Sequence, residues 1–341
     1  MSRSFYHGLY WLSQEWISLP SRIQDMLWII QGVYYPILAV VGVPVNIMTI
    51  MILSRKKCGL TKCVSCYLVA MSVTDLLVII IDLIMRQIPV VYYVHFTFLY
   101  FVPVCNIHAV MLHAVTDCSV WFTVTFSFDR FLAICCQKLK SKYCNAKTAA
   151  VVLGTVTVVS FFKNIFWYFM LTDQYWLMNR PWFCLVTMDV RKSLFWVTME
   201  FVHHILTPGL PFILILLLNI FTIRHILVTN QARKRLVGPS AGDPELQSRR
   251  KSIILLFVIS ANFILLWSMI MVYSIWSRMV SLGFFSIWLN DFAQELGFML
   301  QLLSCCTNTV IYAVTQTKFR QQLKSAMKYP FTSIIQCIQW F

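Results

Sequence analysis

Apolar residues gather along this chain in runs long enough to be membrane helices, separated by short stretches rich in lysine and arginine. Seven runs reach, or nearly reach, the roughly 20 residues that a helix needs to cross a hydrocarbon core. Residues 34–53 (YYPILAVVGVPVNIMTIMIL) form the first and contain no charge. The second, about 64–88, holds Asp75, Asp82 and Arg86, and the third, about 104–136, closes on the segment SFDRFLAICC. A fourth covers about 147–171, with Lys163 in its later half. The fifth, about 196–224, includes Pro208 and Pro211, the sixth, about 252–277, is uncharged, and the seventh covers about 294–315. Backbone groups in lipid must find partners within their own segment, so helices are the expected form. The pattern predicts an all-α membrane protein, a seven-transmembrane helix bundle over residues 34–315.

Past the seventh run, Phe319, Leu323 and Met327 recur every four residues, with Arg320, Lys324 and Lys328 one step behind. This predicts an amphipathic eighth helix that lies in the interface rather than crossing it, within a cytoplasmic tail of residues 316–341. Cys337 in that tail is a candidate for palmitoylation, an unmodified cysteine being at least as good a reading. Residues 1–33 lack an apolar core followed by a small-residue cleavage site, so they read as an N-terminal segment rather than a cleaved signal. No internal repeat is visible.

Composition agrees with this picture. The 341 residues are 59% hydrophobic and 12% charged, against roughly 25% charged in soluble domains. That leaves too little polar surface to cover a globule in water. The net charge of +15 would suit nucleic acid, but its distribution reads as membrane topology. Arg55, Lys56, Lys57 and Lys62 follow the first run, and Lys138, Lys140, Lys142 and Lys147 follow the third. Arg224, Arg233, Lys234, Arg235, Arg249, Arg250 and Lys251 follow the fifth, and Lys318, Arg320, Lys324 and Lys328 follow the seventh. Lysine and arginine concentrate in cytoplasmic loops. The expected topology is therefore multi-pass with the N-terminus outside.

Against this background the adjacent Asp129 and Arg130 stand out. A charge at a membrane centre costs roughly 2.5–3.5 kcal/mol even on a lenient scale, whereas at the cytoplasmic end of the third run both side chains reach the interface. A plain positive anchor would explain Arg130 alone. It does not explain the other polar residues deep in the runs: Asn46, Asp75, Ser119, Ser304 and Asn308. Cys105 lies 25 residues before Arg130, and Cys184 falls in the outer loop after the fourth run.

In this set the chain resembles the rhodopsin-like (class A) G-protein-coupled receptors over nearly its whole length. The family's Asp-Arg-Tyr motif is matched by Asp129, Arg130 and Phe131, and its polar residues of spans one and two by Asn46 and Asp75. Its Asn-Pro-x-x-Tyr motif falls on Asn308, Thr309 and Tyr312, and its fifth-span proline on Pro211. The sixth-span aromatic pair falls on Phe263 and Trp267, and the family disulfide on Cys105 and Cys184. The general look of the chain is similar to an orphan branch near receptors for peptides and aromatic amino acids. Departures are Thr309 for the usual proline, Met269 for the proline after the sixth-span tryptophan, a fourth span without its tryptophan, and an altered second inner loop.

The resemblance implies a receptor that binds an extracellular ligand in its outer half and activates a heterotrimeric G protein as span six swings outward. On that pattern Trp267 and Phe263 transmit the change, and Tyr312 and Arg130 rearrange to admit the G protein. Asp75, Ser119, Ser304 and Asn308 match the family's sodium pocket, which would make sodium an allosteric modulator. No other cofactor and no enzymatic activity are implied. In many members an acid at the start of span six holds the arginine, and that position here is Arg249, followed by Arg250 and Lys251.

For the ligand, the position of the amine receptors' aspartate is Leu112, which disfavours a monoamine, and span seven has no lysine for a retinal Schiff base. The outer half nonetheless carries Asp82, Arg86, His108, His113, Asp117, Glu200, His203, His204, Asp291 and Glu295. Ionisable residues inside a membrane are site candidates by default, and the chosen contacts are Arg86, His113, Asp117 and Glu200. Their mixture of signs suits a peptide or a zwitterion better than a lipid.

Two motifs carry less than they suggest. The segment GPSAG, residues 238–242, fits a hydrolase nucleophile pattern, but that needs a strand before it and a helix after it. The adjacent His203 and His204 point to different faces of a helix, which argues against a shared metal. A transporter or channel remains the alternative, though inverted repeats with matching broken helices are not apparent.

Overall fold

A computed structural model describes residues 3–55, 58–92, 96, 98, 102–175, 184–186, 193–236, 244–287, 289 and 291–326. Within these, the side chains of 3–25, 102, 137, 141, 171–175, 184–186, 230, 232–236, 244–249 and 291 are outside the description. GPSAG, Met327, Lys328 and Cys337 lie outside the described residues.

Among the described residues, seven helices are long and apolar enough to cross a membrane: Met26–Ser54, Lys62–Tyr92, Pro103–Cys135, Ala146–Phe169, Leu194–Thr229, Arg250–Ser281 and Phe292–Thr315. They are spans one to seven below, and they match the runs read from the sequence. The largest shift is in span one, whose helix runs from Arg3 to Ser54 and so passes through the expected boundary at residue 33. Gln31 lies just before the apolar run of residues 34–53. In the fold it is buried, because its Nε2 donates to Glu295 Oε2 of span seven at 2.7 Å.

Local chemistry sets several helix ends. Thr61 caps span two, its Oγ1 accepting from the Val64 amide at 3.3 Å, and Asn145 Oδ1 caps span four by accepting from the Thr148 amide at 2.9 Å. Such side chains satisfy amides that have no partner in the first helical turn. Span two relaxes into a π-helical stretch over Ile79–Gln87, the kind of local irregularity often found at functional sites. Span five breaks at Thr207, just before Pro208. Spans six and seven run unbroken as Pro244–Ser281 and Asp291–Thr315, and Met269 and Thr309 in their interiors keep the backbone N–H that a proline would remove. Residues 317–326 form the start of the eighth helix. The hairpin of β1 (Leu171–Tyr175) and β2 (Cys184–Val186) follows span four.

Small residues let the spans approach closely, as packing in lipid favours. A Cβ on Gly297 would lie 3.0 Å from the backbone of Ile270, and one on Gly42 would lie 2.7 Å from Cys306 Sγ. The core is layered. At the basic end, Leu53, Tyr67, Phe126, Leu255, Tyr312 and Phe319 pack together, while spans one, two, three and seven meet around Tyr35, Leu38, Ile79 and Leu302. Spans three, five, six and seven meet around Val120, Ile215, Phe263 and Trp267. Outward positions stay apolar, as Phe162, Leu265 and Val314 show, which water would not favour and lipid does.

Candidate functional site

At the basic end, spans three and six deliver the first constellation. Arg130 Nε donates to Asp129 Oδ2 at 3.0 Å, and its Nη2 also contacts that oxygen. Asp129 Oδ1 in turn accepts from the thiol of Cys63 at 3.2 Å. Across the bundle, Arg130 Nη1 reaches Ser252 Oγ of span six at 3.4 Å. Both charges are buried, so the acid compensates the base locally. The side chain of Arg249 lies outside the described residues. In the adjoining loop, Cys144 Sγ donates to the backbone oxygen of Asp129 at 3.6 Å. Burial first, then the Asp129 carboxylate, push this thiol up to about 11. Tyr312 is fully buried and sits edge-on to Phe319, with ring centroids 5.9 Å apart.

Midway along the bundle, Ser119 and Asn308 meet at the buried carboxylate of Asp75, while Ser304 bonds its own helix and span six instead. Ser119 Oγ donates to Asp75 Oδ1 at 3.0 Å and Asn308 Nδ2 donates to Asp75 Oδ2 at 2.7 Å. Ser304 Oγ donates to the Gln301 carbonyl at 2.6 Å and accepts from Trp267 Nε1 at 3.1 Å. Trp267 stacks on Phe263, with centroids 5.5 Å apart and planes at 26°. Among the described residues, no basic side chain forms an ion pair with Asp75. A buried carboxylate bonded only to neutral donors, with hydroxyl and amide oxygens nearby, fits a small hard cation such as sodium. Span one closes on span seven beside this layer: Asn46 Nδ2 donates to the Cys305 carbonyl at 2.9 Å, and Thr49 Oγ1 bonds Thr309 Oγ1 at 2.8 Å.

Towards the opposite end, the charged candidates are paired inside the bundle. Arg86 Nε donates to Asp82 Oδ1 at 2.7 Å, and its guanidinium lies over the Phe298 ring at 5.0 Å. The π-helical stretch of span two carries both charged residues. Asp117 Oδ2 meets Lys163 Nζ at 2.6 Å and accepts from Asn164 Nδ2 at 2.6 Å. Thr207, where span five breaks, accepts from Lys163 Nζ at 3.0 Å and from Trp121 Nε1 at 3.1 Å. Glu200 Oε2 pairs with Arg278 Nη1 at 2.7 Å. His113 lies flat against Trp167 (centroids 4.1 Å apart, planes at 11°) and edge-on to His203 at 5.2 Å.

Three of the four candidate ligand contacts are thus paired with residues outside that set: Asp82, Lys163 and Arg278. Lys163 had a visible signal, a lone lysine in an apolar run. Arg278 had only its place beyond span six. Both keep part of their side chains open, at 22% and 24%, whereas Asp117 and Arg86 are enclosed. This layer holds three acid–base pairs beside aromatic rings. Such pairs can exchange an internal partner for a ligand group of the same charge. No cluster of three or more histidine, cysteine or acidic side chains suited to a metal occurs among the described residues.

Cys105, at the start of span three, is disulfide-bonded. The backbone of Cys184 lies in β2, and its side chain is outside the described residues. Compared with known proteins, residues 45–312 match the family model described as "7 transmembrane receptor (rhodopsin family)". The matched region begins beside Asn46 and ends at Tyr312, enclosing all three layers.

Proposed function

The chain belongs to the rhodopsin family of seven-transmembrane receptors, and on that premise we propose that it binds an extracellular peptide or zwitterionic small molecule and activates a heterotrimeric G protein. The observation that carries this reading is Arg130: a buried base held by its neighbour Asp129 and, among the described residues, hydrogen-bonded to span six through the neutral Ser252. Outward movement of span six breaks that contact at little cost and opens the basic end to a protein partner. Ligand contacts at Arg86, Asp117 and Glu200 replace internal ion pairs, and His113 offers its ring beside Trp167. Loss of those pairs is transmitted through Trp267 and Phe263, which touch both the midway layer and span five.

The proposal includes an extracellular N-terminus, a disulfide between Cys105 and Cys184, and no enzymatic activity. It also includes a sodium ion held by Asp75 and Ser119, with Ser304 and Asn308 beside them. The ion would supply the positive charge that the carboxylate lacks, and its loss would favour the rearranged state. Nucleotide exchange on purified G proteins, catalysed by the receptor in nanodiscs and screened with peptides and amino acid derivatives, tests the reading. Exchange that rises with one of these compounds and disappears in Arg130→Ala supports it. Solute uptake by reconstituted liposomes with no exchange on any G protein would favour the transporter alternative.

A further inference from the structure

A lipid-facing groove of about 310 Å³ runs between spans one and seven and ends on the eighth helix. Val41 and Val45 form one wall, Val310, Ala313 and Val314 the other, and Leu323 with Arg320 the floor. We propose that this groove is a binding site for an anionic glycerophospholipid, one acyl chain lying between the spans and the phosphate on Arg320. The volume is at the lower limit of sites that hold small molecules, about 300–1,000 Å³, which suits part of one chain rather than a whole lipid.

Three features select this occupant. The polar wall groups are already satisfied within the protein: Thr309 bonds Thr49 at 2.8 Å and Cys306 Sγ contacts the Leu38 carbonyl at 3.8 Å. The wall can therefore meet a hydrocarbon chain without stranding a donor. The valines stand open, Val310 at 60% and Val314 at 70% exposure, so no described residue fills the space. Among the described residues lining the groove the one charge is Arg320, with Lys324 one helical turn further on, and both are exposed. A guanidinium matches phosphate oxygens in a two-pronged geometry. A sterol hydroxyl offers no charge to it, and a second copy of this face would bring arginine against arginine.

The test uses the full-length protein in phosphatidylcholine nanodiscs that contain a minority of phosphatidylserine bearing a photoreactive group on its acyl chain. Both leaflets of a nanodisc carry the probe, so the result does not depend on orientation or on the receptor reading. Labelling should map to Val41, Val310 and Val314. Val310→Trp fills the groove from an exposed position and should abolish that labelling at unchanged thermal stability. Arg320→Gln removes one interfacial cation, worth about fivefold in affinity for an anionic surface, and should reduce phosphatidylserine labelling by that factor while leaving a phosphatidylcholine probe unaffected. Equal labelling by both headgroups, competition by cholesterol but not by phosphatidylserine, or crosslinks between two copies at these valines would each overturn the proposal.

Discussion

At the scale of single residues, charge decides more than size. Lys163 and Asp117 lie where an isolated charge would be costly, and each is tolerable because the other is 2.6 Å away. Removing one partner of a buried pair costs about 3–5 kcal/mol, whereas replacing both with apolar residues is often neutral. Lys163→Met should therefore lower the melting temperature of the purified protein sharply, and adding Asp117→Leu should restore most of the loss. A pair of independent effects would show that the two groups are not coupled. Asp75→Asn removes the carboxylate of the midway cluster and should abolish any sodium dependence of agonist affinity. Wild-type affinity that is the same in sodium and in a bulky organic cation would count against the ion. Cys144 offers a pH reading. With its thiol pushed up to about 11, the thiolate is scarce at neutral pH. Its alkylation should keep accelerating above pH ~9, where an ordinary thiol of pKa about 8.5 is already mostly ionised. These identities were all legible in the sequence. Their partners were not, because Lys163 and Asp117 are 46 positions apart and only packing brings them together.

Helices add constraints that no residue shows by itself. Helix propensity alone favours alanine over glycine by about 1 kcal/mol, so Gly297→Ala would be expected to stabilise span seven. The Cβ would, however, lie 3.0 Å from the Ile270 backbone, and overpacking typically costs about 1–3 kcal/mol. Gly297→Ala should thus be destabilising and Gly297→Leu severely so, as read from thermal unfolding in detergent. Spans three and six present the opposite case, a contact that is too weak rather than too tight. Arg130 meets a serine hydroxyl at 3.4 Å, and Arg249 stands three residues before that serine. A tenfold shift in a two-state equilibrium needs only about 1.4 kcal/mol, so this weak closure should permit signalling without ligand. Arg249→Glu should reduce basal nucleotide exchange at matched surface expression. A silent wild type, or an Arg249→Glu variant with no fall, would show that other contacts hold the basic end closed.

For the molecule as a whole, topology follows from where the basic residues collect. Labelling of engineered cysteines should place residues before span one outside the cell and the loop after span five inside. Peptide mapping without reduction should recover Cys105 joined to Cys184, and free thiols at both positions would refute that pairing. Seven spans, their order and nearly all their limits were determined by the sequence by itself, because burial in lipid demands long apolar helices whatever the neighbours are. The motif residues Asp75, Asp129, Arg130, Trp267 and Asn308 were visible for a related reason, being polar or bulky groups at fixed depths in those helices. Only the tertiary structure decided which charges neutralise each other: Arg86 with Asp82, Asp117 with Lys163, Glu200 with Arg278. It also decided that Gln31 belongs inside the bundle, that spans six and seven run unbroken past Met269 and Thr309, and that a groove opens above Arg320. Those outcomes depend on the rotation and separation of neighbouring helices. Hydropathy along one chain sets how long a helix is, whereas contacts between chain segments set which way it faces.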